Sequence, residues 1–517
     1  MKLLILTLSA LLVSTALCQT KMKVQWTEKF DFVPGASDHP MDTAKDTEDN
    51  VIVIGTTGTT NSNAGADWFI LKIDPEGREI WRRVYDGGLG REDVPSSVKT
   101  DPRNNVYVAG RTRRPGWFAP EYTTLKLNSP DGAILWETAF HDVHTRSGTN
   151  PFALFIDPNQ DVIVSGERYP YDNNWVTIKI NGQTGALMWY SIYDHLGLQD
   201  WVSGMALDRA GNAYISGSVY EEFPWFHSDL MVHKYSNTDG ATLWRTQWDS
   251  YGLLCKNGGG NIAFGLNGEL FSSGGGCAVV NGLWILSGQL FRWDPANGNM
   301  IWLAQDPVDG SGGYYLTFDN AGHPVSAGNQ IWRDGLQNYH YAWMAWKVHR
   351  DTGQILWRSS WFQTGDQPAH ENVLEAIVTH PNGKLYAVGM LAGQFSDAAL
   401  MEIDQETGAM RVVDVYYGAA RRIDAFKSLQ LLSDGSLVAA GFCHDRAVTF
   451  GSDLLIRKYI EVPLADVNGD LQVDDADLAF VLSVFGFYHP DADLNEDGRI
   501  DWADVQIALD WFGWSRR

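Results

Sequence analysis

Lys179-Ile-Asn-Gly-Gln-Thr-Gly-Ala-Leu-Met-Trp189 and Lys347-Val-His-Arg-Asp-Thr-Gly-Gln-Ile-Leu-Trp357 spell one pattern at two distant places in a chain of 517 residues. An alternating run ends in Lys, a Thr-Gly turn follows, and Trp stands four residues after the glycine. The alternating run recurs as Asp67–Lys72, Tyr122–Lys126, Trp175–Lys179 and Asp229–Lys234. The tryptophans recur as Trp81, Trp136, Trp189, Trp244, Trp302 and Trp357, with Val412 in the seventh repeat. Alternation with period two, bounded by Gly, Asn, Asp and Thr, is the signature of short β-strands joined by turns.

Working outward, each alternating run is preceded by a short apolar run that ends at a glycine. These are Gly55, Gly110, Gly166, Gly217, Gly274, Gly328, Gly389 and Gly441, spaced by about 55 residues. Four strands at such a period read as a propeller blade, and eight glycines predict eight blades. The last blade, ending near Ile460, lacks its Trp strand. Trp26-Thr-Glu-Lys-Phe-Asp31 near the chain start matches Trp81–Asp86 and Trp189–Asp194 and is expected to supply it. Such closure removes both free sheet edges. The expected fold class is an all-β eight-bladed β-propeller over about residues 23–460, with a small α-helical domain of paired Ca²⁺ loops behind it at about 463–515.

The Lys–Thr-Gly–Trp segments resemble the repeats of PQQ-like (quinoprotein-type) and related bacterial secreted propellers. The resemblance implies that each Trp docks between adjacent blades, where a large flat ring buries much area. It fixes architecture better than activity, because propellers host unrelated functions. Quinone-dependent dehydrogenases of this kind commonly use a vicinal disulfide and a Ca²⁺ held by acidic and amide groups. This chain has no adjacent cysteines, and its sequence assigns no metal cluster to the propeller. Lys72, Lys126, Lys179, Lys234, Arg292, Lys347 and Lys458 occupy equivalent positions, with Glu402 breaking the set. The expected role is local pairing with turn carboxylates such as Asp74 or Asp404, rather than a ring of cations for an anionic ligand.

The last fifty residues carry a second repeat. Asp466, Asn468, Asp470, Asp474 and Asp477 recur as Asp493, Asn495, Asp497, Asp501 and Asp504, each pair offset by 27. Oxygen side chains at loop positions 1, 3, 5, 9 and 12, with the carbonyls of Gln472 and Arg499 at position 7, are what a Ca²⁺ ion takes. Val473 and Ile500 at position 8 are expected to pair the two loops through a short strand contact. Each loop enters a helix with an apolar stripe, Leu478, Val481, Leu482 and Phe485, then Val505, Ala508, Leu509 and Phe512, stopped by Gly486 and Gly513. With Asp rather than Glu at position 12, this segment resembles a type I dockerin. The resemblance implies two Ca²⁺ sites, folding coupled to metal, and a cohesin-like partner on a scaffold. Gly498 meets the sharp turn at position 6, but Leu471 stands there in the first loop, so the first site is expected to be weaker. Positions 10 and 11 are Asp475–Ala476 and Trp502–Ala503, not the Ser/Thr pairs that often touch a cohesin, so attachment by another route stays open.

Met1–Cys18 reads as a signal peptide, with Lys2, an apolar run from Leu3 to Leu17, and an exit before Gln19. The expected location is secreted or cell-surface, and no later stretch is long enough for a membrane span. Of the other cysteines, Cys255 and Cys277 could pair and Cys443 would be left as a buried apolar residue. The formal net charge is −24, and residues 461–517 hold thirteen Asp/Glu against three Arg. Nucleic acid is therefore not an expected partner.

No catalytic constellation is legible. Glu221–Glu222, Glu371 and Asp366 invite a glycosidase pair. Ser129-Pro-Asp-Gly and Ser236-Asn-Thr-Asp-Gly match sialidase Asp-boxes only loosely, and His141 with His144 lacks a third metal ligand nearby in sequence. Loop aromatics, Trp117-Phe118, Tyr169 with Tyr171, Phe223-Pro-Trp225-Phe226 and Tyr339-His-Tyr341, suit stacking on sugar rings or gripping a polypeptide. The expectation is a non-catalytic binding propeller with a Ca²⁺-dependent tether. The alternative is an extracellular polysaccharide-degrading enzyme or accessory protein, and a quinoprotein oxidoreductase ranks third. Perturbed carboxylates clustered in one concave site would favour an enzyme, whereas exposed aromatics without them would favour a binder.

Overall fold

In the computed structural model, the eight repeats form eight four-stranded antiparallel sheets. The structure describes residues 20–58, 65–115, 119–141, 148–169, 173–221, 227–249, 258–280, 283–333, 339–363, 371–393, 395–420, 422–445, 451–487, 489–495 and 497–515. Blade one, for example, runs through His39–Lys45, Val51–Thr57, Asp67–Ile73 and Glu79–Tyr85 in spatial order. The second and third strands of each blade are buried almost throughout, as in Asn174–Ile180, and the fourth is largely exposed, as in Leu187–Tyr193. The eighth blade is Ala425–Leu431, Leu437–Cys443 and Asp453–Pro463, completed by Thr20–Phe30. The chain start thus closes the last blade, as the Trp26 match predicts.

The repeated Lys and Trp serve one device. The Trp indole N–H donates to a carbonyl in the third-to-fourth-strand turn of the next blade: Trp81 to Ser129, Trp136 to Gly182, Trp189 to Asn237, Trp244 to Pro295, Trp302 to Arg350 and Trp357 to Gln405. The Lys or Arg of the same blade reaches the same carbonyl. Trp26 makes the matching bond to Pro75. The turn glycine lies flat on that Trp. At Gly240 (φ +70°) a Cβ would come within 2.5 Å of the Trp189 ring, so only glycine satisfies both the turn and the contact.

The cations do pair locally, but not with the turn carboxylates expected. Lys72 meets Asp46 at 2.8 Å, Lys179 meets Asp157 at 2.8 Å and Lys347 meets Asp319 at 3.0 Å, all buried. These aspartates sit where the first strand of the same blade ends. Asp74 and Asp404 instead bind Arg78 and Lys384. Lys72 pairs with Ile52, beside the first-to-second-strand turn that holds Asp46, whereas Asp74 is taken up by Glu76 and Arg78 of its own turn. Glu402 breaks the set and binds Lys384 and Arg411, in the same blade where Val412 replaces Trp.

The eight glycines do not end their strands. Gly55 is the fifth residue of Val51–Thr57. Every first strand carries a register shift opposite its glycine, such as Pro40/Asp42 against Gly55 and Val202/Gly204 against Gly217. The bulge presses a carbonyl onto the glycine: a Cβ on Gly55 would stand 2.1 Å from the His39 oxygen, and on Gly217 2.0 Å from that of Trp201. The glycines mark bulges, not strand ends.

Among the described residues, 26–433 and 437–457 form one compact unit, and 20–25, 434–436 and 458–515 form a second. The second contains two helices, α1 (Asp475–Ser483) and α2 (Trp502–Asp510). Among the described residues, no helix is long and apolar enough to cross a membrane.

Candidate functional site

The bulged residue of each first strand is the one freed from sheet pairing. Met41, Phe152 and Tyr314 are such residues and are exposed. Glu375 and Lys427, at the same position in blades seven and eight, form an ion pair with each other. A bulge re-aims a side chain away from the sheet core, which explains how large aromatics come to be solvent-facing there.

Tyr314 joins a cavity of about 880 Å³ over blades four to six. Trp201, Tyr220, Leu286, Tyr314, Trp332 and Tyr339 supply its apolar wall. Ser218, Ser228, Ser287, Ser311 and Asn329 supply hydroxyls and an amide, and Asp309 the carboxylate. Trp201 is 41 % exposed, Tyr314 54 % and Tyr339 46 %. Asp309 accepts the Leu286 N–H at 2.9 Å. Trp332 stacks on His340 at 5.4 Å and meets Phe362 edge-on.

Of the expected rim aromatics, 117–118, 171 and 223–226 lie outside the described residues, as does the side chain of Tyr169. Tyr339-His340-Tyr341 is not in a loop: it opens the strand Tyr339–Val348, paired with Ile331, Trp332 and Arg333. Trp201, Tyr314 and Trp332 were missed by sequence reasoning. The signal that could have found Tyr314 is the glycine register, which places the first-strand bulge at that residue.

Among the described residues, the invited glycosidase carboxylates Glu221 and Glu371 each have other partners. Glu221 lies 3.2 Å from His195 Nε2 and accepts from Gln247 at 2.6 Å. Glu371 sits beside Tyr341, and Glu222 and Asp366 fall outside the described residues. The Asp-box-like segments are the turns that receive Trp81 and Trp189. His141 pairs with Glu121 at 3.4 Å, and His144 is not among the described residues. Cys277 is disulfide-bonded and Cys443 is free and buried, while Cys255 lies outside the described residues.

Three strongly shifted carboxylates serve the scaffold, and a fourth, Asp67, is pushed up to about 6 by burial and by Asp86 and Asp93. Burial pushes Asp200 up to about 7, Glu167 up to about 7 and Asp38 up to about 6. Asp200 accepts the His195 N–H, Asp38 that of Phe32, and Glu167 that of Val202. Asp93 and Asp424 repeat the staple, each accepting one N–H from the turn before its blade and one from the end of its own second strand. Burial with few charged partners explains the upward shifts.

In the tail, the two loops carry the same hydrogen bonds in register. Asp466 and Asp493 accept the position-6 N–H of Leu471 and Gly498. Asn468 and Asn495 accept from Asp470 and Asp497, which accept from Gln472 and Arg499. Asp474 and Asp501 cap α1 and α2, accepting from Ala476 and Ala503. Asp477 and Asp504 are buried and each takes three backbone N–H groups, from Val467, Asn468 and Asp474, and from Leu494, Asn495 and Asp501. Leu471 adopts φ +69°, the left-handed turn that Gly498 makes at +84°. A leucine there is strained. The donor set is all oxygen, and Asp466 Oδ1 is buried without a hydrogen-bond partner. Both features suit a hard cation.

Two expectations for the tail are corrected. The loops do not pair with each other at position 8. Val473 bonds Trp514 and Gly513, and Ile500 bonds Gly486, so each loop meets the segment behind the opposite helix. The helix stripes are also narrower: Val481, Val505 and Ala508 are buried, whereas Leu482, Leu509 and Phe512 are exposed. Val473, Ile500, Ala465, Ala492 and Leu494 fill the remaining core, so a helix of nine residues needs only one inward row.

The sequence assigned no metal cluster to the propeller, but the fold assembles three groups of candidate ligand atoms within 4.8 Å of one another: His227/Asp229/Asp249, Asp31/Asp38/Asp453 and Asp67/Asp86/Asp93. Among the described residues the tail carboxylates form no such group, because their oxygens are turned to backbone N–H donors.

No family model matches the chain, and no curated protein matches it. Solved structures do. The quinohemoprotein alcohol dehydrogenase of Comamonas testosteroni aligns at 12 % identity and a TM-score of 0.50, over 85 % of this chain and 76 % of that one. The periplasmic gluconolactonase PpgL of Pseudomonas aeruginosa aligns at 12 % and 0.40, over 72 % and 88 %. The polysaccharide lyase Uly1 aligns at 12 % and 0.44, over 84 % and 99 %. At such identity the likeness to the dehydrogenase shows the fold alone.

Proposed function

We propose that this chain is a secreted or cell-surface binding propeller that takes a carbohydrate chain in the cavity over blades four to six. The observation that carries the reading is the exposure of Trp201, Tyr314 and Tyr339 around a concave surface rich in hydroxyls. Flat rings stack on the apolar faces of sugars, and the serine hydroxyls and Asn329 amide match sugar hydroxyls. The shifted carboxylates Asp38, Glu167 and Asp200 are engaged as backbone staples away from the cavity lining, which favours binding over bond cleavage.

The tail, residues 463–515, is in this reading a dockerin-like Ca²⁺ module that tethers the propeller to a cohesin-like or other surface partner. Asp466, Asn468, Asp470, Asp474, Asp477 and the Gln472 carbonyl would hold one Ca²⁺. Asp493, Asn495, Asp497, Asp501, Asp504 and the Arg499 carbonyl would hold the other. Asp466 Oδ1 supports this assignment, as does the shared register of the two loops.

The test is calorimetry of the purified protein against a panel of soluble polysaccharides, with product analysis in parallel. One or more glycans should bind, and Trp201→Ala and Tyr314→Ala should each weaken binding by about tenfold to a hundredfold, as loss of one stacking ring does. Undiminished binding in both variants overturns the cavity assignment. Release of shortened or unsaturated sugars would establish the polysaccharide-degrading alternative.

A further inference from the structure

We propose a divalent transition-metal site on blade four, built by His227, Asp229 and Asp249. His227 and Asp229 lie on the third strand, His227–Tyr235, and Asp249 directly follows the fourth, Thr242–Trp248. One imidazole nitrogen and two carboxylate oxygens lie within 4.8 Å of one another, the separation of atoms that share one ion.

The independent observation is Asp229. It is 2 % exposed, and its Oδ2 accepts Gln247 Nε2 at 2.7 Å, while its Oδ1 is buried with no hydrogen-bond partner. A buried carboxylate oxygen without a donor is costly. A cation bridging it to His227 and Asp249 removes that cost. Gln247 also donates to Glu221 at 2.6 Å, and Glu221 lies 3.2 Å from His195. The amide is thereby held by a second anchor and orients Asp229, as residues behind metal ligands do.

Chemistry selects the ion class. One imidazole with two carboxylates suits Zn²⁺ or Mn²⁺ better than Ca²⁺, which takes oxygen alone. The all-carboxylate group in blade one differs in a telling way: both Asp93 oxygens are taken, by the Gly87 and Arg113 N–H groups. The location assigns a role. Ser228, between His227 and Asp229, lines the large cavity. Adjacent strand residues point to opposite faces, so the ion stands behind the cavity wall and fixes that strand end instead of touching ligand.

The experiment is Zn²⁺ titration of the full chain by calorimetry in excess Ca²⁺, with thermal melts alongside. Wild type should bind one Zn²⁺ and melt at higher temperature with it. Asp229→Asn, a change of one atom in shape, should lose the melting shift and weaken binding by about a hundredfold. Gln247→Ala should weaken it by about tenfold. Asp67→Asn, in the blade-one group, should leave Zn²⁺ binding unchanged. If Asp229→Asn does not fold, His227→Gln carries the same expectation. Unchanged affinity in the ligand variants, or equal loss in Asp67→Asn, overturns the proposal. The glycan-binding assay reads a different property, so the two results stand or fall apart.

Discussion

Both units of the molecule are built by repetition, but they hold their copies together by opposite means. In the propeller each repeat reaches forward: Trp189 and Lys179 of one blade donate to the Asn237 carbonyl of the next, and the series ends when Thr20–Phe30 completes the eighth sheet. In the tail each repeat reaches across: Val473 bonds the segment behind α2, and Ile500 the segment behind α1. Forward linkage can be extended and must be closed by a ring. Crosswise linkage closes after two copies. The propeller core is therefore shared among many neighbours, whereas the tail core rests on Ala465, Val473, Val481, Ala492, Leu494, Ile500, Val505 and Ala508. A core that small generally needs a staple or a metal.

This contrast can be broken by mutation, beginning where the effect should be greatest. Trp189→Ala removes a buried ring, its bond to Asn237 and its contact with Gly240. It should cost about 3–5 kcal/mol in denaturant unfolding followed by intrinsic fluorescence. A loss below about 1 kcal/mol would mean that the interlock does not hold the blades. Lys179→Met leaves Asp157 buried without its cation and should cost a similar 3–5 kcal/mol. Adding Asp157→Asn should restore part of it, which a double-mutant cycle would read.

Removal of Ca²⁺ with EDTA should lower or abolish a tail transition and leave the propeller transition in place. At a Ca²⁺ level about a hundred times the dissociation constant, each occupied loop adds about 2.7 kcal/mol. Coincident loss of both transitions would deny the units their independence. Within the tail, Asp497→Ala should weaken Ca²⁺ binding more than Asp470→Ala, since Leu471 already strains the first loop at φ +69°. Equal losses in calorimetry would count against that ranking.

A smaller effect concerns pH. Burial raises Asp200 to about 7 in the fold, above the ordinary carboxylate value of the unfolded chain. The native state then holds a proton that the unfolded state has released. Stability from this group should fall as pH rises from about 4 to about 7, with a slope approaching 1.4 kcal/mol per pH unit. Asp200→Asn keeps an oxygen for the His195 N–H and should flatten that slope in thermal melts. Smallest of all, Trp502→Ala in the tail should change folding stability by less than about 0.5 kcal/mol, because Trp502 is largely exposed. A large loss would show that the exposed apolar residues of the tail belong to its core.

Much of the architecture was written in local order. The Trp–Lys–Gly spacing gave blade number, and Trp26 gave closure, because each blade repeats one short pattern that neighbouring residues suffice to encode. The partners of the cations were not legible. Lys72 chooses Asp46 over Asp74 through strand pairing, which brings residues far apart in sequence to one end of a sheet. The glycines were visible, yet their meaning changed. Gly217 is required by a carbonyl pressed upon it from another strand, and no reading of its own strand shows that.

By itself the sequence determined eight sheets, their closure by the first strand, and a tail of two matched acidic loops, since these follow from periodic side chains and turn residues that act within a few positions. Tertiary structure alone decided which side chains meet: Trp201, Tyr314 and Tyr339 around one cavity, and His227 and Asp229 beside Asp249. Packing of separate blades and a bulge gathered the aromatics, and pairing of the third and fourth strands of blade four gathered the metal-ligand candidates; both are contacts made in space.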